Sequence, residues 1–165
     1  MLNKNSLAVF LSGALLSANL FAQTEATEAE RAAVLSTIDA FFAALASSDR
    51  ARLESTTYMG SVFVASTTDS AGQVSNSART RRDFIAALSD RRASRLERYW
   101  NPTVLVQGGI AVFWAPYDFH VDGNFSHCGI DSFQLLRSEG RWKIASSSYT
   151  VQRENCEPSP LGPIN

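Results

Sequence analysis

Residues 110–121 read Ile-Ala-Val-Phe-Trp-Ala-Pro-Tyr-Asp-Phe-His-Val, and Asp122-Gly123 separates them from Asn124-Phe125-Ser126-His127-Cys128-Gly129-Ile130-Asp131. Aromatic and β-branched residues recur here without a helical period, and an Asp-Gly pair between two such runs is hairpin chemistry, with Gly taking the positive φ. The pattern extends both ways. Leu96–Gln107 precedes it across Gly108-Gly109, and Phe125–Arg137 is joined to Trp142–Arg153 by Glu139-Gly140. Four long strands in an antiparallel meander are therefore expected over the second half of the chain.

The first half has a different period. Thr27-Glu28-Ala29-Glu30 is a capping-box sequence, followed by Leu35, Ile38, Phe41, Phe42 and Leu45 at helical steps. A short helix is expected at Asp49–Ser55, a strand at Ser61–Ser66, and a polar loop at Thr67–Ser77 with a weak strand near Val74. Thr80 and Asp83 cap a third helix carrying Phe84, Ile85 and Leu88. Helices first and an antiparallel sheet afterwards define the α+β class. The expected division is a signal peptide at 1–22, one domain at 23–156 and a Pro-rich extended tail at 157–165.

Composition fits a single packed domain. Of 165 residues, 45% are apolar and 19% charged. The net charge of −1 advertises neither nucleic acid nor an anionic membrane as partner. Lys4, the uncharged run Leu7–Leu16 and the small Ala22 before Gln23 have the form of a secretory signal. Cleavage after Ala22 and a periplasmic or secreted location are expected, with no membrane insertion once the signal is removed. Export permits a disulfide between Cys128 and Cys156. Cys128 opposes Val151 in the expected hairpin, and Cys156 follows five residues later at the same end.

Two-residue turns at Asp122-Gly123 and Glu139-Gly140 set a register. It puts Val112, Trp114, Asp118, His127, Asp131, Phe133, Trp142, Ile144, Ser146 and Ser148 on one face. Phe113, Tyr117, Cys128, Ile130 and Tyr149 fall on the other. Both faces are apolar, and helices cover only one, so a homodimer through the Phe113 face is expected.

The words Ala111–Phe119, Ser126–Asp131 and Gly140-Arg141-Trp142-Lys143-Ile144 are similar to exported bacterial proteins of the nuclear transport factor 2-like superfamily. That superfamily includes ketosteroid isomerase, scytalone dehydratase and polyketide cyclases of the SnoaL type. The resemblance implies a cone-shaped fold, three N-terminal helices on a curved, mainly antiparallel sheet, with a pocket between them. It also implies that Trp142 and Ile144 face that pocket. Several related families carry a His-x-His pair on the last strand, where this chain has Ser146 and Ser148.

Asp131 is the sharpest catalytic candidate, because a carboxyl beside aromatic walls loses hydration and can exchange protons near neutral pH. Asp118 and His127 would oppose each other across a hairpin. Trp114, Ser146, Ser148, Tyr58, Trp100 and Phe133 are the ligand-contact candidates, with Tyr99 beside Trp100 at the expected mouth. Arginines 79, 81, 82, 91, 92, 95 and 98 read as a solvated face balanced by Asp83, Asp90 and Glu97. His120, His127 and Asp118 follow no standard metal-ligand spacing, so no metal or other cofactor is expected. Three functions stand open: a pocket protein for a small, mostly apolar molecule, an acid/base enzyme using Asp131, and a dimeric interaction module.

Overall fold

A computed structural model describes residues 26–164 of the chain. The signal peptide expected at 1–22 lies outside the described residues. Thr27 caps α1 (Glu28–Ala46): its hydroxyl accepts from Glu30 N–H while the Glu30 carboxylate accepts from Thr27 N–H. Val34, Ile38, Phe41 and Leu45 form the buried stripe of α1. Asp49 caps α2 (Arg50–Thr56) through the Arg52 N–H. Strands β1 (Thr57–Thr68) and β2 (Val74–Thr80) follow, then α3 (Arg81–Leu88), capped by Thr80. The sheet continues with β3 (Arg95–Tyr99), β4 (Thr103–Gln107), β5 (Ile110–Val121), β6 (Asn124–Ser138) and β7 (Arg141–Val151).

The strand order is β2-β1-β7-β6-β5-β3, with β4 also paired to β5. Only β1 and β7 run parallel; every other pair is antiparallel. The single strand expected over Leu96–Gln107 is two, broken at Trp100-Asn101-Pro102. Pro102 has no N–H to give a ladder, and Asn101 takes a positive φ of 47°. The aromatic core lies between α1, α3 and the concave sheet face. There Phe63 stacks on Phe84 at 3.9 Å, and Phe133 meets Phe41, Phe42 and Phe113 edge-on.

Two bulges correct the expected register. Val121 pairs with Asn124 and His120 with Phe125, as a two-residue turn requires, but the next pair is Phe119 with His127. Ser126 is the extra residue. On β7 the pairing passes from Leu135/Ile144 to Gln134/Ser146, leaving Ala145 extra. One extra residue reverses the side-chain parity beyond it. Phe113, Tyr117 and Tyr149 therefore face the helices, contrary to expectation. Trp114, Asp118 and Ser148 point to the outer face, where Trp114 is 51% exposed. The expected dimer face does not exist as one surface: three of its members line the interior and Ile130 lies outside. His127, Asp131, Phe133, Trp142 and Ile144 stay inside together, because all of them lie between the slip at Ser126 and the slip at Ala145.

Cys128 and Cys156 form a disulfide with Cα atoms 6.0 Å apart. A last rung, Cys128 with Gln152, brings the chain to it. Beyond it the tail turns at Ser159–Gly162 and is held by Arg98, whose Nη1 donates to the Gly162 carbonyl at 3.0 Å. Among the described residues no helix is long and apolar enough to cross a membrane.

Candidate functional site

Between the helices and the concave sheet lies a cavity of about 260 Å³. Phe41 and Phe84 from the helices and Phe133 from β6 supply apolar wall, and Tyr117, Tyr149 and Ser147 supply hydroxyl-bearing wall. Asp131 sits among them at 1% exposure. Its inward position follows from β6 alternation: Asp131, Phe133 and Leu135 are all buried, while the intervening residues are more exposed.

A second carboxyl meets it. Glu97 pairs with Phe119 across β3 and β5, which turns it to the concave side. The residue is half-buried along its stem, with the carboxyl in the interior, hydrogen-bonded to Asp131. Burial pushes Asp131 up to about 7, and the bond from Glu97 holds it from rising further. Glu97 is raised well above the ordinary carboxylate range, by burial first and then by the Asp131 charge and hydrogen bond. With both carboxyls raised by burial, the pair keeps a proton at neutral pH. They titrate as a pair rather than as two independent acids. Outside this pair, Asp131 Oδ2 is buried with no donor. Ser147 Oγ in the same cavity is also buried without a partner.

The neighbouring groups are held neutral. Tyr117 donates its hydroxyl to the Thr150 carbonyl at 2.7 Å, and burial pushes its ionisation upward. Burial likewise raises Tyr149. His127 stacks on Phe119 at 4.8 Å and is pushed down to about 4, by burial first and then by the Arg153 charge. It is a neutral imidazole at pH 7. Arg79 and Arg153 complete the wall towards solvent.

Of the candidates read from sequence, Asp131, Phe133 and His127 line the cavity. Trp114 and Ser148 lie on the opposite face, and Ser146 bonds Gln134 rather than lining the cavity. Tyr58 is 42% exposed at the start of β1, and Trp100 sits in the β3–β4 bend; neither lines the cavity. Tyr99 bonds Asp39 on α1 at 2.8 Å. Asp118 and His127 are not partners. Asp118 is buried at 4% on the outer side and takes a fork from Arg98, with Nε to Oδ1 at 2.9 Å. His120, not His127, is beside it, with Nε2 3.3 Å from Oδ1 but too poorly aligned for a hydrogen bond. Among the described residues no group of three His, Cys, Asp or Glu side chains is placed to hold a metal.

Sequence reasoning missed Glu97, Tyr117, Phe119, Ser147 and Tyr149. The β5 and β7 residues were lost to the two bulges. Glu97 was lost to its setting, since a Glu between Arg95 and Arg98 reads as a counter-charge. Its two-residue step to Tyr99, which packs against the core, is the signal that places it inside.

A curved sheet, three helices and a polar-tipped cavity between them define the class: the chain has the nuclear transport factor 2-like fold. Solved structures share this fold. A conserved protein from Planctomyces limnophilus superposes with a TM-score of 0.65 at 19% identity, covering 76% of this chain and 98% of its own. A nuclear transport factor 2-like protein of unknown function from Silicibacter pomeroyi gives 0.56 at 24% identity, covering 77% and 100%. One from Cytophaga hutchinsonii gives 0.62 at 15%, covering 74% and 98%. These likenesses concern the fold alone. Within the class, residues 29–150 match the family described as "Putative lumazine-binding", and the chain belongs to that family. No curated protein matches the chain.

Proposed function

We propose that this chain is an exported pocket protein that binds one small, mostly apolar ring molecule between its aromatic walls. The observation that carries the reading is the cavity itself: aromatic on most sides, with one buried carboxyl pair and one bare hydroxyl inside it. Convergent polar groups in a mainly apolar cavity are the ordinary form of a small-molecule site. The family description names lumazine, a flat heteroaromatic, and a carboxyl pair sharing a proton offers such a ring both a donor and an acceptor. Export is supported by the uncharged run Leu7–Leu16 and by the disulfide, which an oxidising compartment allows. Titrating isotopically labelled protein with lumazine and with indole tests the binding. Backbone amides of Phe133, Ser147 and Tyr149 should shift together. If neither probe moves them at millimolar concentration, the reading falls.

A second reading has its own support. Asp131 titrates at about 7, where a carboxyl both takes and gives a proton readily. In that reading Asp131 moves a proton on the bound molecule, and Asp131→Asn keeps binding while abolishing turnover.

We also infer a homodimer, through a surface other than the one the sequence pointed to. Trp114, Leu105 and Ile110 are 51%, 58% and 56% exposed on the outer face. Large apolar side chains clustered on one sheet face mark an association surface. Light scattering should give twice the chain mass, and Trp114→Glu should halve it. A wild-type protein with the mass of one chain would count against the dimer.

A further inference from the structure

At the solvent end of the cavity, two polar side chains, His127 and Arg153, keep donor groups without a partner among the described residues. The pairing of β6 and β7 runs Asp131 with Tyr149, then Cys128 with Gln152. Continued one residue past that rung, the register sets His127 opposite Arg153, and both line the cavity. Directly opposed side chains on one face lie within about 5 Å at Cβ. Arg153 makes no ion pair among the described residues. The His127 ring bonds Ser126 Oγ through Nδ1 at 3.0 Å and has no described partner at Nε2. With the Ser126 hydroxyl donating, the ring proton sits on Nε2.

We propose that His127 and Arg153 form an anion subsite at the cavity mouth, so that the ligand is a small aromatic acid held with its ring inward and its carboxylate outward. This rests on the pocket reading above and names its ligand class. A guanidinium and an imidazole N–H are matched donors for a carboxylate. Orientation follows from charge. Any charge on the Asp131–Glu97 pair is negative, which turns an acid group away from the depth and towards Arg153. The disulfide contributes here too. Cys128 follows His127 directly and Cys156 lies three residues after Arg153, so the bridge holds the Cys128–Gln152 rung that adjoins both.

The test uses full-length mature protein and two probes of one shape, benzoate and benzamide, with affinities from calorimetry. Wild type should bind benzoate about tenfold more tightly than benzamide, the scale of one charge-assisted hydrogen bond. Arg153→Gln should remove that preference and leave benzamide unchanged. Arg153 is exposed, and retained benzamide binding shows that the variant is folded. Arg79→Gln, at the other side of the cavity beside Tyr149, should keep the preference. Equal wild-type affinity for both probes would overturn the subsite while leaving the pocket in place. So would a preference that survives Arg153→Gln, one that vanishes with Arg79→Gln, or an equal loss of both probes in Arg153→Gln. Failure of wild type to bind either probe would overturn the subsite together with the pocket.

Discussion

Asp131 and His127 stand two alternate positions apart on one face of β6, and burial moves them in opposite directions. An Asp in an unfolded chain ionises near pH 4, whereas Asp131 does so at about 7 in the fold. Between those values the folded protein holds a proton that the unfolded chain has lost. Stability from this group therefore falls as pH rises from about 4 to about 7. Glu97, raised by the same burial, acts with the same sign. His127 acts against them. Its folded value of about 4 lies below the ordinary 6.5, so its contribution is present above about 6.5 and lost as pH falls towards 4. Two groups that lose stability as pH rises against one that gains it leave the native curve falling between about pH 4.5 and 6.5. Denaturant unfolding of Asp131→Asn should show a curve close to flat from about pH 4.5 to 6.5, where Glu97 and His127 oppose each other, gaining on the order of 4 kcal/mol over wild type by pH 8. His127→Gln should show stability falling more steeply than wild type across the same range. A wild-type curve unaltered by either substitution would rule out the buried, shared-proton state.

Among the elements, the β5–β6–β7 run decides what the pocket contains, and its closest approach is at Gly129. That residue pairs with Tyr117 on one side, while Thr150 crowds it on the other. A Cβ built there would stand 2.0 Å from the Thr150 carbonyl oxygen and 2.7 Å from its hydroxyl. The same Thr150 accepts from Tyr117 through its carbonyl and from the Ile130 N–H through its hydroxyl, so it has no freedom to retreat. Gly129→Ala should cost roughly 2–3 kcal/mol, as overpacking a fixed site does. It should also disturb the Tyr117 ring on the cavity wall. Gly109 meets nothing within 4 Å of an added Cβ, and Gly109→Ala should leave the melting temperature within a degree or two. Equal melting temperatures for the two variants would show that the Gly129 contact yields.

For the whole molecule, the disulfide closes a loop of sequence separation 28 and ties the tail back across the sheet end. Chain-entropy arguments put its contribution at about 3–4 kcal/mol. The paired Cys128→Ser, Cys156→Ser variant should lose that much in chemical unfolding. Denatured, non-reduced wild type should show no reactive thiol, and two per chain would mean no bridge. The remaining anchor of the tail, Arg98 to the Gly162 carbonyl, shares its guanidinium with buried Asp118. Removing Arg98 would free the tail and strand a buried carboxylate together, so the cysteine variants are the cleaner probe.

The sequence by itself determined the class and, apart from the break between β3 and β4, the order of elements, together with the caps at Thr27, Asp49 and Thr80, the hairpin turns, and the proximity of Cys128 to Cys156. Each of these rests on local periodicity or turn chemistry, which act within a few residues and are written in consecutive letters. It also put Asp131 on one face with Phe133 and Leu135, and the resemblance, through Trp142 and Ile144, made that face the inner one. Tertiary structure alone decided which β5 and β7 side chains join it. One unpaired residue at Ser126 and another at Ala145 turn Trp114 and Ser148 outward and Tyr117 and Tyr149 inward. No letter marks a bulge, since Ser and Ala are ordinary strand residues and the choice is made by how the sheet curves around Phe41, Phe84 and Phe133. The Glu97–Asp131 pair is of the same kind. Its members are 34 positions apart on strands joined only through β5, and burial, which gives the pair its shared proton, exists only once the helices close over the sheet.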